Sequence, residues 1–164
     1  MRNAAIVLVP LALLAIVGCR GPQVAPAIPD TPEARAIIEV LESYRKAMEA
    51  RDVDAILAIA SRTYHDNMGS PDPETDIYFH DLDLKLAEDF EQVRRIRLDM
   101  EVLRIEMHES EIEGGPPIAT VRYRYDVRYQ LSMPSGEKWH NSLDVNQMML
   151  QLEDDGAWRV LSGL

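Results

Sequence analysis

Between Ala119 and Met133 the chain alternates strictly. Ala119, Val121, Tyr123, Tyr125, Val127, Tyr129, Leu131 and Met133 fall on one side; Thr120, Arg122, Arg124, Asp126, Arg128 and Gln130 fall on the other. A period of two places successive side chains on opposite faces, so this stretch predicts a long antiparallel strand with one covered face. The same period starts at Arg94, with Ile96, Leu98, Met100 and Val102 on one face. It then slips to Leu103, Ile105 and Met107, which places a bulge near Val102. Gly114-Gly115-Pro116-Pro117, Pro134-Ser135-Gly136 and Asp154-Asp155-Gly156 supply turns. They lead into a third strand that ends near Leu152 and a last one over Ala157–Ser162.

Upstream of Arg94 the period is helical. Thr31-Pro32-Glu33 reads as an N-cap hydroxyl, a proline at the first helical position and an acid in the first turn. Ile37, Leu41, Tyr44 and Met48 then form one stripe, and the helix is expected to stop near Arg51. Asp52 caps a short second helix with Val53, Ile56, Leu57 and Ile59. Thr63-Tyr64-His65 reads as a short strand and Gly69 to Pro73 as a loop. A third helix is expected from about Asp81 to Val93, with Leu82, Leu86, Phe90 and Val93 on one face. Helices segregated before long strands argue α+β: N-terminal helices packed on a curved antiparallel sheet, forming a cone that can hold a pocket.

The first residues are apolar for a different reason. Arg2 is followed by a fourteen-residue apolar run, Ala4–Val17, interrupted only by Pro10, and then by Gly18-Cys19. A membrane-spanning helix needs roughly 20 apolar residues, so the run fits the core of an export signal. Gly18-Cys19 at its end resembles the lipobox of bacterial lipoproteins. That resemblance implies a signal peptide over 1–18, cleavage before Cys19 and lipidation of Cys19. Residues 19–31, with Pro22, Pro26 and Pro29, read as a Pro-rich linker, and 32–164 as the folded domain. In that family an aspartate after the cysteine retains the protein at the inner membrane. Arg20 stands here, which favours the periplasmic face of the outer membrane. Cys19 is the sole cysteine, so the domain has no internal disulfide and must hold together by packing.

The net charge is −11, and loss of Arg2 with the signal takes it to −12. Such a chain repels phosphate backbones, which argues against nucleic acid as a partner. It argues equally against electrostatic adsorption to anionic lipid, leaving the acylated Cys19 as the membrane contact. No internal repeat, Gly-rich phosphate loop or Gly-x-Ser-x-Gly elbow occurs.

Within Ile37–Ile59, the pattern Ile-Ile-x-x-Leu-x-x-Tyr-x-x-Ala-x-x-x-x-Asp-Val-Asp-Ala-Ile-Leu, which ends at Leu57, resembles the nuclear transport factor 2-like superfamily. The tail Leu150…Gly156-x-Trp158-x-Val160 does too. The resemblance covers residues 31–164 and implies the cone fold, shared by isomerases, dehydratases, cyclases and non-enzymatic proteins alike. Within it, ketosteroid isomerases are similar at Tyr44, at Asp66 and at Leu143-Asp144-Val145. That similarity implies that Tyr44 and a protonated Asp144 polarise a carbonyl while Asp66 moves the proton.

Each of these residues also has a plainer reading. Tyr44 lies on the packing stripe, and Asp66 precedes Asn67-Met68 in a polar loop where a carboxylate builds turns. Asp144 depends on register: either 144, 146, 148, 150 and 152 share the inner face, or a bulge near Asn146 turns Asp144 to water. His65, His80, Asp81 and Asp83 lack zinc-site spacing, and Asp72-x-Glu74-x-Asp76 lacks the glycine of a calcium loop, so no metal and no cofactor is expected. Arg122, Arg124, Asp126 and Arg128 read as a solvated outer face or as a contact surface for an acidic partner or a second copy. The leading expectation is a membrane-anchored, non-enzymatic domain that binds a small apolar ligand or another envelope protein. The alternatives are a small isomerase, lyase or hydrolase using Tyr44, Asp66 and Asp144, and an assembly protein dimerising through the open sheet face.

Overall fold

The computed structural model describes residues 23–25, 28–110, 114–133 and 136–164. Cys19 and the expected signal segment lie outside the described residues. Helix α1 spans Pro32–Ala50; the Thr31 side chain accepts the Ala34 N–H at 3.1 Å, satisfying a donor the helix start leaves open. Helix α2 spans Val53–Ile59, and the Asp52 carboxylate accepts from Ala55 at 3.0 Å. Both starts fall where the sequence places them. Two short strands, β2 (His65–Asp66) and β3 (Ile77–Tyr78), pair antiparallel. Helix α3 is shorter than the pattern predicts, spanning Leu82–Glu91, because Val93 already belongs to the sheet.

Strands β4 (Val93–His108), β5 (Ile118–Met133), β6 (Gly136–Leu152) and β7 (Trp158–Ser162) form the antiparallel meander. The expected bulge sits between Val102 and Arg104, and a second one, unforeseen, between Val93 and Arg95. Within the Pro-rich stretch, Gln23–Val24 forms a short strand β1 that pairs parallel with Glu101–Val102 of β4, so that part of the linker is held on the sheet edge. The strand order is β1-β4-β5-β6-β7.

The helices cover one face. Ile37, Leu41 and Tyr44 of α1, Ile56 of α2 and Leu82 and Leu86 of α3 pack on Ile96, Leu98, Met100, Val102, Val121, Tyr123, Met148, Leu150, Trp158 and Val160. The alternation in β5 resolves as expected: Val121 and Tyr123 are buried, whereas Arg122, Arg124 and Arg128 are exposed. Along β4 the free edge is blocked at one point, where a Glu49 carboxylate oxygen accepts the Leu98 N–H at 3.0 Å. Cover runs out along the sheet. Tyr125, Val127, Tyr129 and Leu131 are half-buried, and β6 from Gly136 to Gln147 is exposed, including Trp139, Leu143 and Val145 on the outer face. Among the described residues no helix is long and apolar enough to cross a membrane.

Candidate functional site

A cavity of about 210 Å³ opens where the roof thins. It is lined by Tyr44 and Met48 of α1, Leu98 of β4, Tyr123, Tyr125 and Val127 of β5, Asn146 of β6, and Leu164. The helical stripe brings Tyr44 and Met48 to it, and the alternation of β5 brings the two tyrosines. The β5–β6 ladder runs without a shift from Ile118↔Gln151 to Met133↔Gly136, which places Asn146 opposite Tyr123 and Asp144 opposite Tyr125. Asp144 and Asn146 therefore share the inner face with Met148 and Leu150.

The walls are apolar and the polar groups are few. Asn146 lies opposite Tyr123 on the inner face, with its amide beside the phenol. The Tyr44 hydroxyl has no protein hydrogen-bond partner among the described residues, although its ring is buried. Burial pushes the Tyr44 phenol up to about 12, helped by the neighbouring Tyr64 and Tyr125. Burial, and then the nearness of Tyr44, raises Tyr123 well above the ordinary phenol range. Both phenols therefore stay neutral at physiological pH and act as hydrogen-bonding groups. No side chain of the lining is a carboxylate, imidazole, amine or guanidinium.

Of the three residues the ketosteroid isomerase resemblance singles out, Tyr44 lines this cavity, and Asp66 and Asp144 are not part of its wall. Asp66 is engaged elsewhere. Its carboxylate accepts the Gly163 N–H at 2.7 Å, the Met68 N–H at 2.8 Å and the Tyr64 hydroxyl at 3.3 Å, tying β2 to the chain after β7. Asp144 is exposed on the inner face, beside the half-buried Tyr125, and its carboxylate accepts the adjacent Val145 N–H at 2.7 Å. Leu164 is a wall residue that no local pattern marks. It is placed by the Asp66–Gly163 bond and by its own N–H, which donates to the Tyr64 hydroxyl at 3.3 Å. His65 pairs with Asp76 at 2.7 Å and stacks on Tyr78, well apart in role from the cavity.

The bonds at Asp66 carry a measurable consequence. Asp66→Ala leaves the Gly163 and Met68 donors without their charged acceptor, and is expected to lower stability by about 2–3 kcal/mol. Asp66→Asn keeps an acceptor oxygen and should lose less. Urea denaturation of the two variants separates these outcomes, and an unchanged midpoint for Asp66→Ala would contradict the structural role.

No protein-family model and no curated protein matches the chain. Solved structures do. A conserved protein from Planctomyces limnophilus superposes with a TM-score of 0.61 at 12% identity, over 80% of this chain and 98% of that one. A candidate dehydratase of the nuclear transport factor 2-like family from Streptomyces avermitilis gives 0.61 at 14% identity, over 82% and 95%. A ketosteroid isomerase-like protein from Erwinia carotovora atroseptica gives 0.56 at 17% identity, over 80% and 92%. At these identities the likeness concerns the architecture: helices roofing a curved antiparallel sheet. The chain has the nuclear transport factor 2-like α+β fold.

Proposed function

We propose that this domain is a non-enzymatic binder of a small, neutral, largely apolar molecule that carries a hydrogen-bond acceptor such as a carbonyl oxygen. The observation that carries the reading is the Tyr44 hydroxyl, which faces an apolar cavity without a protein partner among the described residues. A cavity hydroxyl without a protein partner is a donor that an occupant can engage, and such a hydrogen bond is worth about 0.5–1.5 kcal/mol. Tyr123 and Asn146, opposite one another in the ladder, supply a second polar point in the wall. The volume of about 210 Å³ limits the occupant to a molecule smaller than most cofactors. No side chain in the wall is a carboxylate, an imidazole or an amine, so none there is a ready base for a proton-transfer step. The export-like N-terminus and Cys19 support placement at a bacterial cell envelope by a lipid anchor.

A second reading rests on one specific observation. Asp144 shares the inner face with the cavity residues, and some structures with this fold are named for dehydratase or ketosteroid isomerase-like proteins. In that reading a substrate larger than the cavity would extend along the uncovered sheet to Asp144.

The test is a ligand-observed NMR screen of small ketones, esters and lactones against the full chain. Tyr44→Phe is expected to leave the fold intact and weaken hits about tenfold, the equivalent of one hydrogen bond of ~1.4 kcal/mol. Bound compounds should be recovered chemically unchanged. Turnover would favour the second reading, and equal binding by Tyr44→Phe would remove the first.

A further inference from the structure

One end of the molecule contradicts its overall charge. In a chain of net charge −11, a groove of about 240 Å³ is lined by Glu49, Arg51, Arg94, Arg95, Ile96 and Arg97. Its carboxylate is already committed: Glu49 bonds Arg45 at 2.8 Å and the Leu98 N–H at 3.0 Å. Arg94, Arg95 and Arg97 are exposed and make no ion pair among the described residues. The groove's own lining therefore carries four guanidiniums against one carboxylate, with Asp99 lining the adjoining pocket together with Arg97.

Two irregularities of the backbone gather these side chains. The β4–β5 ladder steps from Val93↔Leu131 to Arg95↔Gln130, leaving Arg94 as the bulged residue, so that two consecutive arginines are exposed. Arg51 ends α1 in the left-handed conformation, with φ 56, where glycine or asparagine is the usual occupant. That turn lets its guanidinium donate to the Val93 carbonyl at 2.7 Å, which fixes it next to the bulge. A costly backbone conformation and a bulge that serve the same groove are the features expected of a built site.

We propose that Arg51, Arg94, Arg95 and Arg97 form an anion site for a phosphoryl group. A carboxylate offers two oxygens. A phosphate monoester or diester offers more, spread over a tetrahedron, and suits several guanidinium forks at once. The site shares no lining residue with the apolar cavity. The phosphoryl group belongs either to a soluble phosphate ester or to a lipid headgroup.

The full chain in a phosphate-free neutral detergent is titrated with inorganic phosphate by calorimetry. In parallel it is sedimented with phosphatidylglycerol–phosphatidylcholine vesicles and with phosphatidylcholine alone. Saturable phosphate binding, weakened about tenfold or more in the double variant R94S/R95S, supports the proposal with a soluble source. Sedimentation that is greater with phosphatidylglycerol than with phosphatidylcholine alone, the difference being lost in the same variant, supports it with a headgroup source. R51G suits the left-handed backbone, so it is expected to fold and still lose affinity. R122S, on the outer sheet face, is expected to bind as the parent does. No phosphate binding together with equal sedimentation on the two vesicles, affinity unchanged in R94S/R95S or R51G, or an equal loss in R122S would overturn the proposal.

Discussion

Gly163→Ala is expected to be the most damaging single methyl that can be added to this protein. Gly163 has φ +93, a backbone region that L side chains rarely adopt. A Cβ there would lie 2.3 Å from the Gln147 carbonyl oxygen and 3.0 Å from the Met148 Cα. Both obstacles are backbone, so no rotamer change relieves them. Strain at positive φ costs about 1–2 kcal/mol, and overpacking against fixed atoms adds about 1–3, for a loss of roughly 2–5 kcal/mol. The damage should spread to the candidate site. The Gly163 N–H anchors Asp66, and the next residue, Leu164, is part of the cavity wall. Gly156→Ala is the matched control: its φ is +80, with nothing within 4 Å of the added Cβ. Urea denaturation of the pair isolates the close approach from the backbone strain. Equal losses at the two positions would show that the chain after β7 can move away from β6.

The second large effect is alkaline unfolding that begins well before arginine titrates. Tyr44 is held up to about 12, from an ordinary value of 10.0. Tyr64 is raised by burial and by the charge of Asp66, and Tyr123 by burial and by Tyr44. The neutral phenol is favoured in the folded chain. Below about pH 10 tyrosines are protonated in both states, and this stabilisation is complete. As the pH rises from about 10 toward 12, the unfolded chain releases protons that the folded chain keeps, and stability falls. Tyr44 alone accounts for about 2–3 kcal/mol over that interval, and the other two act in the same direction. Melting temperature against pH should bend downward above about pH 10, with tyrosinate absorbance appearing together with unfolding. Tyr44→Phe should soften the bend. A flat profile would mean that these rings are better solvated than their packing indicates.

How much of this was legible along the chain depends on the range of the interaction. Thr31 and Asp52 cap their helices because an N-cap bond spans three residues. The alternation of β5 gives its buried and exposed faces, and the change of phase after Val102 marks a bulge, because a period of two is a property of neighbouring residues. Tyr44 and Tyr123 were legible as inward-facing for the same reason. Asp144 was not. Its face depends on whether the β5–β6 ladder is continuous, and its exposure on how far α1 reaches along the sheet. The third helix was read too long since Val93 fits a helical stripe and a strand equally well, and sheet pairing decided between them.

The sequence alone determined an α+β chain with capped helices, an inward tyrosine face and an outward arginine face, for these follow from local periodicity and short-range hydrogen bonds. Only the tertiary structure decided that Asp66 is held by Gly163, 97 residues away, that Leu164 closes the cavity, and that the bulge at Arg94 meets Arg51. Periodicity specifies which side of an element is apolar. What that side faces is set by the packing of distant segments, which leaves no regular mark on the order of residues.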